Sequence, residues 1–453
     1  MFVPPSYYGM RSSYWRLGGL IGLAACLAHP VVVTEPARVI AEPPSRSAPS
    51  REVQWYRDYW RALLTLNVPV AWTLAETPEQ RQLAEAIQAV ADGSLSDADS
   101  IASPLAFSKD TLIRSAARLT VDAVRSARGD WLSLASWRDD GLRDGAVADA
   151  TDHAGVENWA LAFRRVGVTA PVEVWGGTDE MLPLRRSPRG IPMVPVRVNG
   201  VVRYFWLDTG SSISILSPSV AAEAGVRGDR DTLELVTAAG RLPAVAAVVD
   251  SLQIGSLTLR RAPAMVIAAS DFTMRSGSDK ATIEPSYRID GVIGFDIISK
   301  IDLTIDDQHG SVFVRRPIVR TTPGKGRPRN LLWFGVPIVT LVSEHGAPLH
   351  FSLDTGAEET YGTRTLVAKG GVRGVTAERR LVNGFGVSVS EPGVVVPRVR
   401  LYLDETPLVF QRVFLYEAQY PTMFEVDGTL GSDVGRGGWL RIDMRNGRVE
   451  VGG

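Results

Sequence analysis

The chain has 453 residues, 45% of them apolar, and its 49 Lys and Arg against 50 Asp and Glu leave a formal net charge of −1. That balance excludes a general nucleic-acid binder, which needs a basic face, and the apolar share excludes a disordered chain. One cysteine, Cys26, excludes an internal disulfide framework, a four-cysteine zinc site and an iron–sulfur cluster. The scattered histidines form no His-Glu-x-x-His pair, and no Gly-x-Ser-x-Gly elbow, Walker loop or Gly-x-Gly-x-x-Gly occurs. No metal and no cofactor is expected.

At the amino terminus Arg11 and Arg16 precede an apolar run over residues 17–28. The run is shorter than the roughly 20 residues of a membrane span and has the pattern of an export signal. Within it, Leu23-Ala24-Ala25-Cys26 resembles the bacterial lipobox, which makes Cys26 the candidate lipidation site. The alternatives are an ordinary cleaved signal or an uncleaved anchor running to Val33. Residues 1–33 therefore read as a signal peptide, lipoprotein signal or anchor. The protein is expected in the cell envelope, periplasmic or attached to a membrane through its amino terminus. Residues 34–50, rich in Pro, Ser, Ala and Glu, read as a disordered tether.

Residues 51–165 read as helical. Thr77-Pro78-Glu79-Gln80 is a helix start, with Thr as cap, Pro in the first turn and Gln placed to reach back. Leu83, Ala86, Ile87 and Val90 then form one face. The punctuations at Gly93 and Gly129 lie 36 residues apart, near the period of tetratricopeptide-like pairs. The aromatic residues here, Trp131 and Trp137 among them, read as core. Residues 166–189 read as a linker.

The carboxy-terminal half is duplicated. Residues 205–228 and 351–374 match without gaps at ten of 24 positions, an offset of 146. Farther on, Asp290-Gly291-Val292-Ile293-Gly294 matches Asp427-Gly428-Thr429-Leu430-Gly431 at an offset of 137. Each copy alternates apolar and polar residues in short runs broken by turns, a mainly β pattern of sandwich or barrel type. The copies span residues 190–316 and 331–453. Between them residues 317–330, with Pro323-Gly324-Lys325-Gly326-Arg327-Pro328, read as a solvated linker.

Each copy carries Asp-Thr-Gly at the end of an apolar strand: Asp208-Thr209-Gly210, followed by Ser211, and Asp354-Thr355-Gly356, followed by Ala357. With the later apolar-apolar-Gly strands, this layout resembles the aspartic proteases. The halves look like retropepsin lobes and the whole like a pepsin-like two-lobed chain, here preceded by an α-helical region. The resemblance covers residues 190–453 and implies two homologous β-barrel lobes, a catalytic pair Asp208 and Asp354, and a polypeptide substrate.

The chemistry suits that arrangement. Two facing carboxyls cannot both ionise cheaply, so one holds a proton while the other takes one from water, as is long known of aspartic-protease dyads. By resemblance Thr209 and Thr355 bond across the pseudo-twofold axis. Ser211 donates to Asp208, which leaves the two aspartates unequal because Ala357 has no hydroxyl. Candidate flaps fall at Ala239-Gly240 and Gly384-Phe385, with ordinary turns as the alternative; no tyrosine lies between Asp208 and Tyr287, so the pepsin flap tyrosine has no counterpart. Asp296 and Asp433 read as helix caps, Asp306 and Asp443 as turn residues, and Glu358 and Glu359 as solvent-exposed acids. Carrying both aspartates, the chain is expected to act as a monomeric aspartic endopeptidase. The rival reading is a non-catalytic peptide-binding or envelope scaffold protein with a relic cleft.

Overall fold

The computed structural model describes residues 27–29, 58–143, 156–237, 240–268, 273–276, 284–318, 329–383, 388–415 and 423–453. A short strand, β1 (Leu27–His29), stands apart from the helical region. That region comprises α1 (Tyr59–Leu64), α2 (Val68–Leu74), α3 (Pro78–Ala91), α4 (Leu95–Leu105), α5 (Thr111–Ala127), α6 (Trp131–Arg143) and α7 (Val156–Arg165). Each helix packs on the next. At the start of α3 the Gln80 N–H donates to Thr77 Oγ1 at 3.2 Å and the Thr77 N–H to Gln80 Oε1 at 3.3 Å, the reciprocal bonding read from the sequence. Just after α3 and α5, Gly93 and Gly129 take φ of 78° and 67°, the left-handed turn that ends a helix.

Residues 166–189 are not a linker. Val172, Val174 and their neighbours alternate, and the chain forms β2 (Val172–Trp175), β3 (Asp179–Pro183) and β4 (Arg185–Arg186). A period of two is enough to make edge strands when a sheet lies alongside.

The first lobe follows. It contains β5 (Pro192–Val198), β6 (Val201–Leu207), β7 (Ile215–Leu216), α8 (Pro218–Glu223), β8 (Gly228–Thr237), β9 (Gly240–Ile254) and β10 (Leu257–Ile267). A small hairpin, β11 (Thr273–Ser276) and β12 (Glu284–Arg288), leads to β13 (Gly291–Ile293) and the short helix α9 (Phe295–Ile298). The order β10-β7-β13-β6-β5-β9 closes on itself through the β9–β10 pairing, giving a six-stranded barrel. β2 adds to β10, and β4 to β5. The lobe ends with β14 (Asp302–Asp306) and β15 (Ser311–Arg315).

The second lobe repeats this plan. Its elements are β16 (Leu331–Trp333), β17 (Pro337–Ser343), β18 (Pro348–Leu353), β19 (Tyr361–Gly362), α10 (Arg364–Gly370), β20 (Thr376–Asn383), β21 (Ser388–Leu403), β22 (Thr406–Leu415), β23 (Gly428–Leu430), β24 (Trp439–Asp443) and β25 (Arg448–Gly452). Here β21-β22-β19-β23-β18-β17 closes through β17–β21, and β1 lies against β20. The fold is mainly β: two homologous barrel lobes preceded by helices.

The lobes are joined by a sheet of mixed parentage in the order β3-β15-β14-β24-β25. At its centre β14 of the first lobe runs antiparallel to β24 of the second, with Asp302 opposite Asp443 and Asp306 opposite Trp439. Arg441 bridges that seam, donating to both oxygens of Asp302 at 2.8 and 2.7 Å. One buried apolar cluster runs through both barrels. A second joins the helices to Phe334, Ile338 and Phe424 of the second lobe. The interlobe connection is exposed at its described start, at Ile318, but its described end at residues 329–330 is packed. Arg329 donates to the Ala91 carbonyl at 3.2 Å, and Asn330 both donates to Val449 and accepts from it. Arg329 fills the seam between helices and lobe, donating also to the Arg445 carbonyl at 3.3 Å, where backbone carbonyls need donors.

Candidate active site

β6 and β18 are the inner strands that deliver the two Asp-Thr-Gly turns. β6 pairs in parallel with β13, and β18 with β23. Glycine in these partner strands has a steric cause. A Cβ on Gly291 would stand 2.1 Å from the Phe205 ring, and one on Gly428 would stand 2.5 Å from the Phe351 ring. A Cβ on Gly294 or Gly431 would meet the backbone of Ile213 at 2.6 Å or of Glu359 at 2.4 Å. The apolar-apolar-Gly signal is thus a demand for close approach beneath each aspartate turn.

The two turns meet. The Thr209 hydroxyl donates to the Leu353 carbonyl at 2.8 Å and accepts from the Thr355 N–H at 2.9 Å. Reciprocally, the Thr355 hydroxyl donates to the Leu207 carbonyl at 2.7 Å and accepts from the Thr209 N–H at 3.1 Å. All four bonds are buried and cross between lobes. They bring Asp208 and Asp354 together as neighbours, each perturbing the other's ionisation. A Cβ on Gly356 would sit 2.4 Å from the Asp208 carboxyl carbon, so only glycine fits there.

Each carboxyl is held alike. Asp208 Oδ1 accepts from the N–H groups of Gly210 at 2.9 Å and Ser211 at 3.1 Å; Asp354 Oδ1 accepts from those of Gly356 at 2.9 Å and Ala357 at 3.0 Å. The remaining oxygens, Asp208 Oδ2 and Asp354 Oδ2, are buried and have no donor among the described residues. Two carboxyls facing each other without another donor share a proton. Burial raises both pKa values above the ordinary carboxyl range; for Asp354 the charge of Asp208 adds to the rise. The two titrate as a coupled pair, and the rise belongs to the pair.

The Ser211 hydroxyl does not reach Asp208 as the resemblance implied. It donates to the Ile213 carbonyl at 2.7 Å, and only the Ser211 backbone N–H serves the carboxylate. An unpaired carbonyl inside the turn outcompetes a carboxylate already served by two N–H groups. Ser211 and Ala357 therefore do not make the aspartates unequal.

Asp296 and Asp433 are not caps. Gly294 occupies the cap position of α9, and Asp296 lies in the first turn, accepting from the Ser214 hydroxyl at 2.8 Å. Thr360 donates to Asp433 at 2.7 Å in the second lobe. Ser214 and Thr360 also accept from the N–H groups of Gly294 at 3.0 Å and Gly431 at 3.1 Å, so each hydroxyl pins its aspartate turn to the strand below. Burial pushes the Asp296 carboxyl up to about 7 and raises Asp433 too. The signal was present: both hydroxyls stand six residues after Asp208 or Asp354. Asp306 and Asp443 do close turns, accepting from the N–H groups of His309 at 3.0 Å and Asn446 at 3.1 Å.

Glu358 and Glu359 are not simply solvated. Glu358 is buried, 3.7 Å from Arg189, which is itself 2% exposed and belongs to the approach to the first lobe. Glu359 pairs with Arg380 at 3.0 Å. The strands on either side of the flap positions pair antiparallel, β8 with β9 and β20 with β21. Gly240 opens β9 opposite Thr237. Ala239, Gly384 and Phe385, like Cys26, lie outside the described residues. Among the described residues no group of three or more His, Cys, Asp or Glu gathers to hold a metal ion.

Comparison with known proteins bears on the first lobe. No curated protein matches the chain. One solved structure, a retropepsin-like aspartic protease from Rickettsia conorii, aligns over 33% of this chain and 96% of its own, at 15% identity and a TM-score of 0.21. Residues 194–297 match the family model of the aspartyl proteases. The part of the chain that carries Asp208 is therefore similar to the aspartyl protease family, and Asp354 is linked to it through the internal duplication.

Proposed function

We propose that the protein is an aspartic endopeptidase in which Asp208 and Asp354 act together on one water. The observation that carries this reading is the pair itself: two neighbouring buried carboxyls, each with one oxygen satisfied by two N–H groups and the other without a donor among the described residues. In one assignment of the shared proton, Asp208 takes the proton of a water as the water oxygen attacks the peptide carbonyl. Asp354 donates its proton to the carbonyl oxygen, where negative charge develops. The tetrahedral diol then collapses: the amine leaves with the proton that Asp208 took from the water, a diol hydroxyl returns one to Asp354, and the pair is again singly protonated. The threonine lattice fixes the carboxyls so that little reorganisation accompanies the transfer. The test is hydrolysis of denatured casein by the full chain. Asp208→Asn and Asp354→Asn should each lower the rate by at least about 10³-fold while leaving the fold intact. Activity that survives either change would overturn the reading.

A further inference from the structure

The Tyr287 hydroxyl, like Asp208 Oδ2 and Asp354 Oδ2, is buried without a hydrogen bond among the described residues. Tyr287 lies on β12, and its ring packs beside that of Trp206, with centroids 6.2 Å apart. Trp206 stands two residues before Asp208 on β6. Arg189 and Glu358 also act on the hydroxyl, with opposite charges. Glu358 comes from the second lobe, four residues after Asp354, and lies 3.7 Å from Arg189. Ser187 is close as well, but its hydroxyl oxygen already accepts from the N–H groups of Arg189 and Ile191 at 3.2 Å each. Tyr287 thus touches the flanks of both aspartate turns.

The duplication shows this place built differently. Gly190-Ile191-Pro192 matches Gly335-Val336-Pro337, and Ile289-Asp290-Gly291 matches Val426-Asp427-Gly428. Arg189 and Tyr287 therefore correspond to Phe334 and Phe424, while Glu358 corresponds to Ser212 at the offset of 146. There the two rings meet edge to face at 4.5 Å, each 4% exposed. The Ser212 hydroxyl donates to the Gly335 carbonyl at 2.9 Å. On that side apolar rings and a bonded hydroxyl close the structure. On the Tyr287 side a buried hydroxyl stands without a bond, which costs stability and points to a use in binding.

Resting on the endopeptidase reading, we propose that Tyr287 determines specificity: its hydroxyl binds an uncharged hydrogen-bonding side chain of the peptide, a carboxamide or a hydroxyl, at one position on one side of the scissile bond. Arg189 and Glu358 balance each other, so a charged side chain placed there would lose water without gaining a counter-charge. An apolar side chain would leave the Tyr287 hydroxyl stranded. A carboxamide both donates and accepts, and so meets that hydroxyl with either end. The equivalent place at Phe334 and Phe424 offers nothing comparable, which confines the preference to one side of the cut.

The test uses the full chain. Mass spectrometry locates a wild-type cut in denatured casein, and peptides spanning it are resynthesised with Gln, Leu, Lys or Glu at each of the four positions on either side. Wild type should favour Gln over the other three about tenfold in kcat/KM at one position, on one side only. Tyr287→Phe should bring the Gln-to-Leu ratio there close to one by lowering kcat/KM on the Gln peptide. It should also melt no lower than wild type, because the hydroxyl removed has no bond to lose. Cleavage with no such position in wild type, or with the same ratio in Tyr287→Phe, would overturn the specificity role alone. A Tyr287→Phe protein that melts several degrees lower would show the hydroxyl bonded within the fold, and would overturn it too. No cleavage of casein by folded wild type would overturn the endopeptidase reading, and this proposal with it.

Discussion

At the scale of single residues, the dyad sets function against stability. Burial raises both aspartates above the ordinary carboxyl value of about 4. A carboxyl with a raised folded pKa keeps its proton longer when folded than when unfolded. Its stabilising contribution is complete below about pH 4 and falls as pH rises toward the folded value. Asp354→Asn removes that titration, and the amide it introduces can still donate to Asp208. The variant is therefore expected to lose hydrolysis yet melt higher than wild type at pH 8, by roughly 1–3 °C, with the gain shrinking at pH 4. Thermal melts at the two pH values check it; a variant that melts lower at pH 8 would contradict the electrostatic account. The same direction governs catalysis. The singly protonated pair forms only as pH rises past the ordinary carboxyl range, so the acid limb of kcat/KM should lie above about pH 4. A maximum near pH 3 would show that the carboxyls are better solvated than their burial indicates.

At the scale of elements, the threonine lattice is the part of the site most exposed to a single change. Thr209→Val keeps the shape of the side chain but strands the Leu353 carbonyl and the Thr355 N–H, both buried. At about 1–3 kcal/mol for each stranded group, the loss should total about 2–6 kcal/mol in chemical unfolding, whereas Thr209→Ser should recover most of it. A tolerated valine would mean that the lobes are held by the β14–β24 seam alone. Much of this architecture could be read in the sequence because it is repeated. The Asp-Thr-Gly turns and the glycines of β13 and β23 answer local steric demands that leave the same residues in both copies. What could not be read is whatever is long-range or unrepeated. Val172 and Val174 become a strand only because β10 offers an edge. The Ser211 hydroxyl turned to a carbonyl that only the folded turn brings near it. The buried pair of Arg189 and Glu358 joins residues far apart in the chain, and no local period announces it. Trp131 was legible as core, but not which core, since one aromatic residue on a helix face fits many surfaces.

At the scale of the whole molecule, the question is whether one chain makes one complete site. Three structures tie the lobes together: the threonine lattice, the five-stranded sheet of mixed parentage, and the apolar cluster common to both barrels. The helices add a fourth tie, because Trp333 of the second lobe donates to the Ala123 carbonyl of α5 at 3.2 Å while α7 lies on the first lobe. Separating the lobes would expose all of these surfaces at once, so exchange of a lobe between chains should be slower than any assay. The prediction concerns complementation. Asp208→Asn and Asp354→Asn each leave one intact lobe in each chain. If the site formed between two chains, mixing the inactive proteins would bring an intact Asp208 lobe against an intact Asp354 lobe, and about a quarter to a half of wild-type activity would return by mass action. With both aspartates locked within one chain, the mixture should stay as inactive as its components, over a hundredfold range of concentration and after overnight incubation. Wild-type activity should meanwhile scale linearly with enzyme concentration over that range. Recovery on mixing, or specific activity that climbs as wild type is concentrated, would show that the catalytic pair is assembled between chains.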